Sequence, residues 1–257
     1  SVKIKQNVGS SFYIGTPTAP INCAVDSFIV GEEATDGSSS AGCQQICWNF
    51  GATASGYNGT TVRILKTNST GLSTSGLEVV QLKGTHASNV MHVEGQAVVG
   101  WGVGFPGEAY TLLTCNVSHD SAKVHLGAGG TDGTINQLRG NILLECALAT
   151  ALNQAGGTIQ TEGTGAIPIA NVNGTFIANS TGTITTLDVE DAGVADFTKS
   201  SAARTVTSAT IHGGGKINLA NAVSRSVTVT NGVDCIDGAE SSQVNFGQQV
   251  NVQQAAP

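Results

Sequence analysis

Three glycines, Gly140, Gly157 and Gly174, stand 17 residues apart, and apolar residues keep step with them on both sides. Two residues before each glycine lie Leu138, Ala155 and Val172, with Val189 next in phase. Five residues before lie Ile135, Leu152 and Ile169, and two residues after lie Ile142, Ile159 and Phe176. Ile167 and Ile184 keep the same step. A chain with 34 glycines produces three in phase easily, but five columns in phase need a structural cause.

Each unit reads apolar-x-x-apolar-x-Gly-x-apolar, two short strand pieces around a bend. A piece of three to five residues cannot bury its own face. Stacked copies bury it continuously, and backbone hydrogen bonds then run from coil to coil. Glycine suits the bend because it accepts positive φ. Seventeen residues at about 3.3 Å each give a contour near ~56 Å, enough for a flattened or triangular coil. The expected fold is therefore all-β, a parallel β-helix-like solenoid with coils of about 17 residues. The same grammar drifts upstream through Val90, Val93, Gly95, Ala97 and Val99. It continues downstream through Gly213, Gly215, Ile217 and Leu219, then Val227–Val229 and Val244–Phe246. The competing reading is a helix over residues 142–152 (ILLECALATAL), stopped by Gly156-Gly157. The columns run straight through it, so coils are preferred.

Composition agrees. The chain has 29 Thr, 25 Val, 22 Ser and 18 Asn among 257 residues, the residue types of strands and tight turns. Hydrophobic residues reach 40% and prolines number only 5, which argues against disorder. Charged residues make up 11% and the net charge is −7, with no basic cluster. Nucleic acid and anionic membrane are therefore not expected partners. No apolar stretch approaches bilayer length, and the opening SVKIKQNVGS has no apolar core of the signal-peptide kind. Residues 1–60 read differently, as a small β domain or extended arm for attachment, with the solenoid over 61–257. In that reading residues 1–60 cover one open end of the solenoid, and the polar NVQQAAP caps the other.

Sites of chemistry are sparse. No Gly-x-Ser-x-Gly occurs. His92 with Glu94, and His119-Asp120, read as surface residues. The six cysteines have irregular spacing and read mainly as buried thiols, and Cys43-x3-Cys47 lacks the second ligand pair of a zinc site. Five Asn-x-Ser/Thr sequons, from Asn58 to Asn179, are expected by chance in such a composition. The acidic group Asp188, Glu190, Asp191 and Asp196 is the best catalytic candidate, because carboxylates on a sheet face can serve acid–base or Ca²⁺ chemistry. However, Asp188 and Glu190 flank the inward Val189, so both point outward as ordinary solvated residues. Lys199 and Arg204, the nearest candidate bases, fall in an expected loop. Asp234-x-x-Asp237-Gly238 reads as a turn. No catalytic residue, cofactor or metal is expected.

Several phrases add a resemblance. Gly84-Thr-His-Ala-Ser-Asn-Val90, Gly157-Thr-Ile-Gln-Thr and Gly182-Thr-Ile-Thr-Thr-Leu are similar to those of tailed-bacteriophage structural proteins. So are Ala195-Asp-Phe-Thr-Lys-Ser and Ala203-Arg-Thr-Val-Thr-Ser-Ala-Thr-Ile-His-Gly-Gly-Gly. The likeness covers roughly residues 62–252 and implies a non-enzymatic β-solenoid component of the virion. The expectation is a capsid decoration or cement protein, self-associated as a homotrimer and bound to the major capsid protein or another virion protein. The rivals are a tail spike or fibre domain binding a bacterial surface glycan, and a secreted pectin-lyase-like enzyme.

Overall fold

In a computed structural model of the protein, successive strands alternate between two sheets, apart from the last two strands of the first sheet. The structure describes residues 2–4, 12–14, 25–31, 46–50, 59–67, 80–103, 110–219 and 227–245. The first sheet has 12 strands, from Val2–Ile4 to Val233–Cys235; the second has 11, from Phe12–Ile14 to Val244–Asn245. Neighbouring strands pair in parallel, as a chain does when each coil lays its strands on the coil before it. The protein is a β-solenoid. Among the described residues there is no α-helix, and no helix long and apolar enough to cross a membrane. Residues 142–152 divide between the strands Asn141–Leu144 and Ala147–Gln154, one in each sheet.

The core lies between the sheets as stacked columns. In the second sheet Val80, Val99, Val124, Ile142, Ile159, Phe176, Ala195, Ile217 and Val244 follow one another in register, all buried. In the first, Phe28, Val62, Met91, Cys115, Ile135, Leu152, Ala170, Leu187 and Ala209 do the same. Ile167 pairs with Ile184, and both are buried. At about 1.5–3 kcal/mol for each fully buried aliphatic side chain, these columns are the main favourable term of the fold.

The second column of the sequence repeat needs correction. Val172 and Val189 stack on Gln154 and Gln137, not on Ala155 and Leu138. Leu138 is 53% exposed, and Ile169 is 41% exposed while Ala170 takes the inward place beside Leu152. The cause is a compensated slip of one residue. From Leu152 to Ala170 the step is 18 residues (170 − 152), whereas Ile142, Ile159 and Phe176 keep 17. The bend from Val172 to Phe176 is then one residue shorter than the bend from Gln154 to Ile159 (176 − 172 = 4, 159 − 154 = 5). The shortened bend also changes its glycine. Gly140 and Gly157 sit at φ of 82° and 78°, but Gly174 does not take positive φ. Gly174 is required for space, since a Cβ there would stand 2.7 Å from the Gly157 carbonyl oxygen.

The segment set apart by sequence, residues 1–60, contributes strands to these same sheets. Ser27–Val30 pairs with Thr61–Ile64 across the expected boundary, and Ile46–Phe50 pairs with Val80–Gly84. Phe28 and Val30 are fully buried in the common core. Phe246, the low-complexity loop at 35–42 and the terminal NVQQAAP lie outside the described residues.

Candidate functional site

Parallel stacking brings equivalent outward positions into rows, and one such row is a ladder of amides. Asn136 Nδ2 donates to Asn116 Oδ1 at 2.9 Å, Asn153 to Asn136 at 2.9 Å, and Asn171 to Asn153 at 2.8 Å. Asn116 in turn donates to His92 Nδ1 at 3.3 Å. Every amide is both donor and acceptor, so a row of Asn on adjacent strands satisfies itself. Beside it runs a groove of about 530 Å³, lined by Asn116, Asn136, Asn153 and Asn171, by the exposed Leu138, and reaching Glu190. A parallel row lies inside the bend: Gln154 Nε2 donates to Gln137 Oε1 at 3.0 Å and to the carbonyls of Gly157 and Thr175. These buried glutamines cap bend carbonyls that the apolar core leaves without partners.

The row continues from Asn171 to Asp188, and there its chemistry changes. Asp188 Oδ1 lies 2.9 Å from His212 Nε2, and Asp237 Oδ2 lies 2.8 Å from His212 Nδ1. The carboxylate of Glu190, the Asp188 carboxylate and a His212 ring nitrogen place one atom each within 4.8 Å of one another. The strand Ile184–Val189 carries the two acids on one outer face, as alternation requires, and the strand Arg204–Ile211 delivers His212 at its end. The Gly213-Gly214-Gly215 turn makes this approach possible. A Cβ on Gly214 would stand 2.3 Å from the Asp191 carbonyl oxygen, and one on Gly215 2.6 Å from that of Val189. Asp237 sits in the left-handed region at φ 52°, followed by Gly238. The Asp237 carboxylate raises the pKa of His212 above its ordinary value, assisted by the charges of Glu190 and Asp188. With carboxylates at both ring nitrogens, the imidazole is held as imidazolium.

The outward placement of Asp188 and Glu190 agrees with alternation in the sequence. Their convergence with His212 and Asp237 does not appear there. Asp196 is separate, 3.8 Å from Lys199. Arg204, placed by sequence in a loop, opens a strand and is buried. Its guanidinium donates to the carbonyls of Ala178, Ser200 and Ala202 and lies over the Phe197 ring. The other candidates are local. Glu94 accepts a bidentate pair from Arg63, whose guanidinium lowers its pKa. His119 Nδ1 accepts the Ser121 amide, and Asp120 pairs with Arg139 at 3.2 Å.

Sequence reasoning passed over Asp132. It is buried between the sheets, where Cys146 Sγ donates to Oδ2 at 3.2 Å. Burial pushes its pKa up to about 7, against the opposing effect of the Cys146 thiol and the Leu112 amide. The same burial raises the thiols of Cys115 and Cys146 and the Tyr110 phenol, so none ionises near neutral pH. Cys115 and Cys146 are free buried thiols; Cys235 is free and exposed. A single Asp in a turn-rich chain gives no sign of an inward orientation. The only hint is its place three residues before the core position Ile135, beside Gly133, where the strand is irregular.

Comparisons with protein families, with curated proteins and with solved structures return no match.

Proposed function

We propose that the chain is a structural protein of a bacteriophage particle, a capsid decoration or cement subunit that acts as a stiff body bound to neighbouring virion protein. The observation that carries this reading is the pair of continuous parallel sheets, 12 and 11 strands, sealed around one apolar interior. A body of this kind resists bending, because deformation would break registered hydrogen bonds along its whole length. With only 11% charged residues, its outer faces cost little to desolvate against a partner. Association as a homotrimer through interfaces of more than ~1,000 Å² belongs to the same proposal. So does an absence of catalysis: Arg204, the nearest candidate base, is engaged with three carbonyls.

The test is occupancy. Purified chain is mixed with particles lacking it, and bound copies are counted by mass spectrometry and located by electron microscopy. Saturating, symmetric binding to the shell supports the reading; absence from the shell overturns it. A second reading, a fibre or spike domain that binds surface glycan, is favoured by the amide-lined groove. Against it, the groove has no aromatic residue on which a sugar ring could stack. A glycan array with wild type and Asn153→Ala separates the two.

A further inference from the structure

We propose that Asp188, Glu190 and His212, with Asp237 behind the imidazole, form a binding site for a divalent transition-metal ion at the end of the groove. The inference does not depend on where the protein works. Three features support it. The donor set is mixed, one imidazole and two carboxylates, a combination that suits Zn²⁺, Co²⁺ or Mn²⁺. The three candidate ligand atoms lie within 4.8 Å of one another. At metal–ligand distances of about 2.0–2.2 Å, ligands on one ion are at most ~4.4 Å apart, so small side-chain rotations close the site. Finally, Asp237 Oδ2 is 2.8 Å from Nδ1, the nitrogen that faces away from Asp188. A carboxylate on the far ring nitrogen is the usual outer partner of a metal-bound histidine; it fixes the tautomer and strengthens the ligand.

Two sequence features otherwise without a role also meet here. The His212-Gly213-Gly214-Gly215 turn packs onto the Asp191 and Val189 carbonyls, and the Asp237-Gly238 turn places its carboxylate by a left-handed backbone. Among the described residues, Asp188 and Asp237 pair only with His212, so the single imidazolium faces three carboxylates. Binding replaces the Nε2 proton by the ion: the proton leaves to solvent, Nε2 and the two carboxylates bind, and Asp237 keeps its hydrogen bond to Nδ1–H. No protein group fills the remaining coordination positions, and Glu190 already lines the groove.

The probe is Co²⁺, added to the full chain after chelator treatment and followed by absorption and calorimetry. Nitrogen and oxygen ligation gives weak visible bands, whereas thiolates add strong near-ultraviolet absorption, which separates this site from Cys235. The expected result is one ion per chain with weak visible bands. His212→Ala and Asp188→Asn should each lower affinity at least tenfold, and Asp237→Asn about 10–100-fold, as for outer partners of metal ligands. Circular dichroism of each variant verifies folding. Glu190→Gln, a surface change, is the second arm should His212→Ala fail to fold; it too should weaken binding tenfold. No binding at millimolar Co²⁺, thiolate bands alone, or affinity unchanged in Glu190→Gln and Asp237→Asn would overturn the proposal and leave His212 as a structural clamp.

Discussion

The coils between Ile135 and Val189 and the coils after them use the same two sheets to different ends. In the first region, the core column of the second sheet advances by 17 residues from Ile142 to Ile159 and from Ile159 to Phe176. Nearly every residue there is strand or tight bend. Beyond Phe176 the column passes through Ala195, Ile217 and Val244, in steps of 19, 22 and 27 (195 − 176, 217 − 195, 244 − 217). The added length forms the loop that engages Arg204, the triple-glycine turn and the Asp237 turn. A solenoid needs only its strands to stay in register, so bends absorb insertions without disturbing the core. The regular region is built for packing, and the irregular one spends its extra residues on positioning polar groups.

The largest test of this contrast is Phe176→Ala. Phe176 is fully buried between Ile159 and Ala195, and the small Ala195 gives little to fill the space left behind. The expected cost is about 3–5 kcal/mol in chemical denaturation. A cost below about 1 kcal/mol would mean that the regular region is no better packed than the surface.

Asp132→Asn examines a charge placed inside the regular stack, in contrast to Asp188 outside it. The folded pKa of Asp132 is above its unfolded value, so the unfolded chain releases this proton first. The stability linked to the neutral carboxyl is present below about pH 4 and is lost as pH rises toward about 7. The groups facing it, Cys146, Cys115 and Tyr110, stay neutral throughout. Relative to wild type, Asp132→Asn should gain stability across that window, by at most about 4 kcal/mol for a shift of roughly three pKa steps. A gap between the two proteins that does not change with pH would show that Asp132 is ionised in the fold.

Gln154→Ala removes a buried donor to Gln137, Gly157 and Thr175. It should cost about 1–3 kcal/mol through unpaired bend carbonyls. Gln154→Glu should also destabilise, because it removes the donor and buries a charge. Indifference to both changes would mean that water replaces the amide at the bend. The smallest effect is expected at Leu138→Ala, under about 0.5 kcal/mol, because Leu138 faces the groove. A loss as large as that of a core leucine would place Leu138 back in the interior column that the 17-residue phase suggested.

By itself the sequence determined the solenoid and the core column Ile142–Ile159–Phe176. An in-phase apolar repeat too short to bury its own face has few solutions other than stacking. It also determined that Asp188 and Glu190 point outward, because alternation about the inward Val189 is a local rule. What it misplaced lies at the slip. Leu138 and Ile169 keep the repeat's phase but face outward, because the inserted residue before Ala170 is offset by a shorter bend after Val172. Equal spacing in sequence cannot distinguish that pair of changes from no change at all. The role of residues 1–60 was misleading for a related reason: their coils are longer, so no period marks them as part of the stack. Only the tertiary structure decided the site at His212. Asp188, His212 and Asp237 come from three successive layers, separated by 24 and 25 residues. Such separations carry no local signal, and the stacking of irregular coils alone sets the groups within 3 Å of one another.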